Sequence, residues 1–285
     1  MSMPPPPSSP APVLFDRTLL RARQRRAERL GGATFLLERV VDDAVERLAA
    51  VNRTFTRGID LDTPGERLCH ALGERIAAMS PLAVPPCDSD PLPLEPQSID
   101  LAVSALALQF VNDLPGVLSQ LRRALKPDGL LLAAMIGGDT LTELRQSFAA
   151  AEAEIEGGAS PHVSPFADLR DAGGLLQRAG FALPVTDFER ITVRYDNAFA
   201  LMQDLRRMGA TNVLVERRKL PARRATLLRM AQIYSERFAD EDGRIRATFD
   251  VIWLLGWAPD PSQPKPLRPG SAKFRLEDAV KRRPK

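Results

Sequence analysis

Histidine, cysteine, tyrosine and tryptophan occur only twice each in this chain of 285 residues, and aromatic side chains make up 6% of it. Each shortage removes a class of function. Cys69 and Cys87 are too few for a disulfide framework or a cysteine-rich zinc site, and they fit a reducing compartment. An iron site built from two histidines and a carboxylate would have to use both His70 and His162. His70 is followed by Ala71-Leu72, so the His-x-Asp/Glu element of many iron oxygenases is missing, and no metal is assigned. Scarce aromatics leave no stacking surface for single-stranded nucleic acid. The net charge is only +3. Clusters such as "RARQRRAER" and "ERRKLPARRAT" therefore read as solvated helix faces rather than a nucleic-acid footprint.

Long hydrophobic runs are also lacking. The longest are about 10 residues, against the ~20 that a membrane-spanning helix needs. The opening "MSMPPPPSSPAP" has no charged start followed by an apolar block, so it reads as a disordered leader and not as a secretory signal. Nor is it an obvious transit peptide. The expected location is a bacterial cytoplasm, or the mitochondrial matrix for a eukaryotic source.

What is present alternates. "FLLERVVDDAVERLAAV" carries apolar residues at Leu37, Val41, Val45 and Leu48, and the stretch from Phe15 to Ala50 reads as helical. "TFTRGIDL" is a short strand. Thr63 and Glu66 have capping-box spacing with Pro64 at the first helical position, which predicts a helix whose face carries Leu68, Leu72, Ile76 and Met79 and which stops before Ser80-Pro81. "SIDLAVSALAL" and "LLLAAMI" read as strands buried on both faces, separated by the helix of "NDLPGVLSQLRRALKPDG". "TLTELRQSFAAAEAEIE" is the next helix. "DLRDAGGLLQRAGF" is another, and it leads into the strand "ERITVRYD". A helical insertion, "AFALMQDLRRMG" and "ATLLRMAQIYSERFA", precedes the strand "IRATFDVIWLLGWA". This order predicts a parallel α/β sheet with an antiparallel last strand. The expected organisation is a leader over 1–12, an N-terminal helical segment over 13–50 and an α/β core over 51–183. A C-terminal strand pair with its helical insertion over 184–274 completes the same domain, and 275–285 is a basic tail.

The run from "SIDLAVSALAL" through "LRRALKPDGLLL" resembles the core of class I S-adenosylmethionine-dependent methyltransferases. Longer strings narrow the resemblance. "FVNDLPGVL", "GGDTLTELR", "GGASPHVSPFADLRDAGGLLQRAGF", "LMQDLRRMGATN", "GWAP" and "SQPKPLRPGSA" look like the mitochondrial complex I assembly factors with a methyltransferase fold and their alphaproteobacterial relatives. The malonyl-acyl-carrier-protein methyltransferases of biotin synthesis are similar more distantly. The resemblance implies a Rossmann-like methyltransferase sheet, S-adenosylmethionine as cofactor, and a protein, carrier-linked or respiratory complex I subunit as substrate or partner. In the mitochondrial members it implies a role in complex I maturation that has been associated with arginine hydroxylation as well as methylation.

Two departures bear on that cofactor. The family's Asp-Leu-Gly-x-x-Gly-Gly loop falls on "DLDTPGE", which keeps Asp60, Leu61 and Gly65 but puts Asp62 and Glu66 where glycines stand. Asp88 matches the acid that faces the adenine, yet only 28 residues separate it from Asp60. Two parallel crossovers with their strands need about 30–35 residues. The fold class is thus a class I methyltransferase sheet lacking the second strand and its following helix, and no residue stands out as the ribose-binding acid.

By the resemblance, the candidate cofactor contacts are Asp60, Gly65, Asp88 and Ser104. Asp60 equally caps a strand end, and Ser104 equally serves as a buried strand hydroxyl. No catalytic residue is assigned. The candidates are Gln109, where relatives carry His-Trp across 109–110; Asp139, which is equally a helix cap; and His162, a possible general base or a structural loop histidine. Three readings stay open: an S-adenosylmethionine-dependent methyltransferase with an eroded loop, a degenerate member that binds a partner without the cofactor, and an arginine hydroxylase.

Overall fold

The computed structural model describes residues 13–85 and 90–264. Its six strands are β1 (Arg57–Leu61), β2 (Ala78–Leu82), β3 (Ile99–Ala105), β4 (Leu125–Gly137), β5 (Ala182–Tyr195) and β6 (Ile245–Trp257). They form one sheet in the order β2-β1-β3-β4-β6-β5. The first four are parallel, and β6 runs antiparallel between β4 and β5. Both the reduced strand count and the antiparallel final strand follow the sequence pattern.

Alternation along the central strands explains why these runs are apolar throughout. Leu130, Leu132, Ala134 and Ile136 of β4 face one core layer, and Leu131, Ala133 and Met135 face the other. The first layer is covered by α2 (Phe35–Ala49), α3 (Arg67–Gly73), α5 (Thr142–Glu156), α7 (Ala198–Arg207) and α8 (Arg224–Phe238). The second is covered by α4 (Leu114–Ala124) and α6 (Leu169–Arg178). Each leucine fully buried in these layers contributes roughly 1.5–3 kcal/mol.

Three boundaries differ from the expectation. The helix read from Phe15 to Ala50 is two helices, α1 (Arg17–Arg29) and α2, broken at Gly31, whose φ of +72° ends the first one. The capping box at Thr63 does not form. Gly65 and Glu66 both lie in the left-handed region, at φ +68° and +54°, so the chain makes one 3-10 turn over Pro64–Glu66 before α3 starts. Thr63 spends its hydroxyl elsewhere. The helix then stops at Gly73, and Met79, Ser80 and Pro81, expected on or beyond its end, belong to β2.

β2 lies beside β1 with Asp60 opposite Pro81. It takes the inner position, so among the described residues the strand that is missing by place is the outer one. No helix occurs among the described residues between β2 and β3. The sheet ends at a strand of five residues.

Candidate functional site

In an open α/β sheet a ligand sits outside the carboxyl ends of the strands where the order reverses, here between β1 and β3. That crevice is stitched shut by side chains of its own walls. The Ser104 hydroxyl donates to the Leu61 carbonyl at 2.8 Å, and the Ala105 N–H donates to the Thr63 hydroxyl at 2.9 Å. All four groups are buried.

A cation closes it from above. Arg17, in the first turn of α1, is 4% exposed. Its Nη2 lies 2.6 Å from Asp62 Oδ2 and donates to the Val84 carbonyl at 3.2 Å, while Nη1 donates to the Phe110 carbonyl at 3.4 Å. One guanidinium thereby reaches the loops that follow β1, β2 and β3. Arg21, one turn on, donates to the same Val84 carbonyl at 2.7 Å.

The residues present do not fit S-adenosylmethionine in this place. Asp62, where the resemblance puts a glycine, is held at φ +59° with its carboxylate paired to Arg17. A cationic ligand would have to enter a crevice that already holds a buried guanidinium. The backbone and side-chain groups that would receive it are bonded to one another.

Asp60 is 1% exposed, and its Oδ2 accepts from the Cys69 N–H at 2.9 Å, inside α3. Its other oxygen has no partner. Burial pushes its carboxyl up to about 6, against the influence of Thr63 and of the Cys69 N–H. Gly65 is exposed on the rim. Asp88, like Cys87, lies outside the described residues.

Beside the closed crevice is a cavity of about 620 Å³, bounded by α1, α2, α5, α7 and the loops after β3 and β4. Its walls are mainly apolar, with Leu37, Leu144, Phe148, Phe166, Leu205 and Phe249 among them. Gly65 touches its edge. Gln109 lines it too, but both ends of its amide are engaged: Nε2 donates to the Leu106 carbonyl at 2.7 Å and Oε1 accepts from the Ile136 N–H at 3.4 Å. His162 also faces this cavity, stacked on Phe148 at 3.8 Å, with Nε2 2.8 Å from Glu152 Oε1. Glu152 is buried. That burial resists its ionisation, but hydrogen bonds with His162 and Ser160 outweigh it and hold the carboxyl below its ordinary range.

Asp139 is outside this cavity. It pairs with Arg190 at 2.9 Å, and Arg190 also makes a two-pronged bond to buried Asp250. The Asp139 N–H donates to Asp250 Oδ2, and Thr140 and Asp250 exchange further bonds, so "GGDT" locks β4 to β6. His70 is exposed, with Nδ1 against the Glu66 carbonyl. Among the described residues no group of three or more His, Cys, Asp or Glu is placed to hold a metal.

The comparisons with known proteins agree with this geometry at the level of the fold. A methyltransferase-domain family model matches residues 44–133. The zebrafish protein "Arginine-hydroxylase NDUFAF5, mitochondrial" is 35% identical over 94% of this chain and 90% of its own length. The chain belongs to the NDUFAF5 family. The human member is 38% identical over 91% of this chain and 81% of its own. A member from Dictyostelium discoideum is 50% identical, but over 63% of this chain and 41% of that protein. A malonyl-[acyl-carrier protein] O-methyltransferase of Laribacter hongkongensis is 38% identical over 80% and 72%. Among solved structures, YcgJ of Bacillus subtilis superposes with a TM-score of 0.51 at 11% identity, over 77% of this chain and 99% of that one, which shows the fold alone.

Sequence reasoning missed Arg17 in this NDUFAF5-family chain. It precedes a cluster read as a solvated face, and its partner stands 45 residues away. It also missed Glu152, for which the only signal was a histidine on a nearby loop.

Proposed function

We propose that this chain is a methyltransferase-fold maturation factor that acts by holding a protein partner in the assembly of respiratory complex I and does not load S-adenosylmethionine. The observation that carries this reading is Arg17 in the crevice where the cofactor would lie. Resemblance to the complex I assembly factors supplies the partner. The setting is a reducing one, a bacterial cytoplasm or a mitochondrial matrix.

Methyl transfer to a protein or carrier-linked substrate, the alternative that the malonyl-carrier relatives favour, requires Arg17 to leave. Titration calorimetry with S-adenosylmethionine and S-adenosylhomocysteine decides between the two. No heat at millimolar ligand is expected, and micromolar binding by the wild-type protein would overturn the proposal. The relatives named arginine-hydroxylases raise a second reading, that the partner leaves with an oxidised arginine. Mass spectrometry of complex I subunits from cells lacking this protein tests it: an arginine missing one oxygen relative to wild type supports that reading, and unchanged masses reject it.

A further inference from the structure

The cavity has an apolar body and a basic mouth. A second recess, of about 530 Å³, shares Arg23, Phe148, His162, Met202 and Asn212 with it, so the two are continuous. The recess adds Arg217, Arg218 and Lys219 to the wall.

These charges are unevenly compensated. Arg218 is paired with Glu156, and Arg217 with Asp16 at 3.6 Å. Arg23, half-buried, donates through Nη1 to the Asn212 carbonyl, and its acidic neighbour Asp16 is shared with Arg217. Its guanidinium is drawn below its ordinary value by burial and by the charges of Arg217 and Arg26. On the same wall the Thr211 hydroxyl is buried with no partner. An apolar chamber of this size with a few polar groups at one end is the usual form of a small-molecule site. A cation short of counter-charge and a free hydroxyl at that end select what the polar end of the ligand must be.

We propose that this cavity binds a single-chain anionic amphiphile, its alkyl chain lying between Phe148, Met202 and Leu205 and its carboxylate or phosphate meeting Arg23 and the Thr211 hydroxyl. A neutral chain would leave Arg23 without an anion, and a cation would be repelled by the basic mouth. The cavity adjoins the β1–β3 crevice at Gly65 and Gln109, but the residues named for the ligand lie on α1, α5, α7 and the loop after α7, away from Arg17 and Asp62.

The experiment is calorimetry on the full chain with decanoate, decyl phosphate and decanol, below their micellar concentrations. Both anions are expected to bind at micromolar concentrations, and decanol at least tenfold more weakly. Whichever anion is tighter identifies the head group. Raising the salt weakens the anions and leaves decanol unchanged. Arg23→Gln is expected to bring the anions down to the decanol level. Met202→Trp, which fills the chamber and leaves the mouth intact, is expected to abolish binding of all three. Equal binding of decanol and the anions by the wild-type protein, or no binding of either anion at millimolar concentration, would overturn the proposal without any variant having to fold. S-adenosylhomocysteine, added in parallel, separates this outcome from that of the crevice.

Discussion

Arg17 Nη2 and Asp62 Oδ2 stand 2.6 Å apart across 45 residues of sequence, with the arginine side chain 3% exposed and the aspartate 21%. The pair joins the first helix to the loop after the first strand.

Removing one partner of a buried pair leaves the other charged and under-solvated. Arg17→Met is therefore expected to destabilise the protein by about 2–3 kcal/mol, discounted from the fully buried case because Asp62 retains some solvent contact. Urea unfolding measures it. Asp62 adds a backbone effect. Its φ of +59° is disfavoured for any residue with a Cβ, so Asp62→Gly should cost about 1 kcal/mol less than Asp62→Ala. Equal losses in the two variants would contradict the strain.

Asp60 gives a pH dependence of defined sign. Its carboxyl is raised to about 6 by burial, so the folded protein holds this proton more tightly than the unfolded chain does. Its contribution is favourable below about pH 4 and is lost as pH rises through about 6. Asp60→Asn keeps an acceptor for the Cys69 N–H and removes the buried charge. The variant should gain roughly 2–3 kcal/mol over wild type at pH 8 and almost nothing at pH 4. An equal gain at both values would exclude burial of the charge as the cause.

Glu152 has the opposite sign. Its carboxyl is held low in the fold, so its contribution is present above the ordinary carboxylate range and is lost on acidification. His162→Ala removes one of the bonds that hold it there and the ring stacked on Phe148. The variant should lose about 1–3 kcal/mol at pH 7 and unfold at a higher pH when titrated with acid. Circular dichroism follows both. An unchanged acid midpoint would mean that Ser160 alone suffices.

Gly138 sits at φ +55°, and a Cβ there would lie 2.7 Å from Asp250 Oδ2. Gly138→Ala should therefore cost about 2 kcal/mol or more, from left-handed backbone strain together with displacement of the carboxylate that binds Arg190. Thermal unfolding reads it out, and Arg190→Ala on the same background should add less than it does alone.

The strands and helices that bury apolar residues periodically were legible before the structure. β3, β4 and β6 are continuous apolar runs because helices cover both their faces, and their order announces the antiparallel end of the sheet. What escaped depends on backbone geometry or on long-range pairing. Residues 62–66 satisfy the spacing of a helix start, yet three of them lie at positive φ and Thr63 is claimed by Ala105, so the pattern matched while the motif did not form. Arg17 resembles its neighbours in composition. Nothing local distinguishes Arg17, the one fully buried arginine of that helix, from those that are half-buried or exposed.

A sheet shortened by one strand acquires a new border, and borders are where β proteins stick to each other. This one is β2, five residues long with Pro81 in the middle of its second half. Proline has no N–H to offer and cannot continue a ladder outward, and a short strand presents few free groups to begin with. The strand left at the border is thus a poor template for self-association. Such an edge can stand at the border of the sheet without recruiting a neighbour.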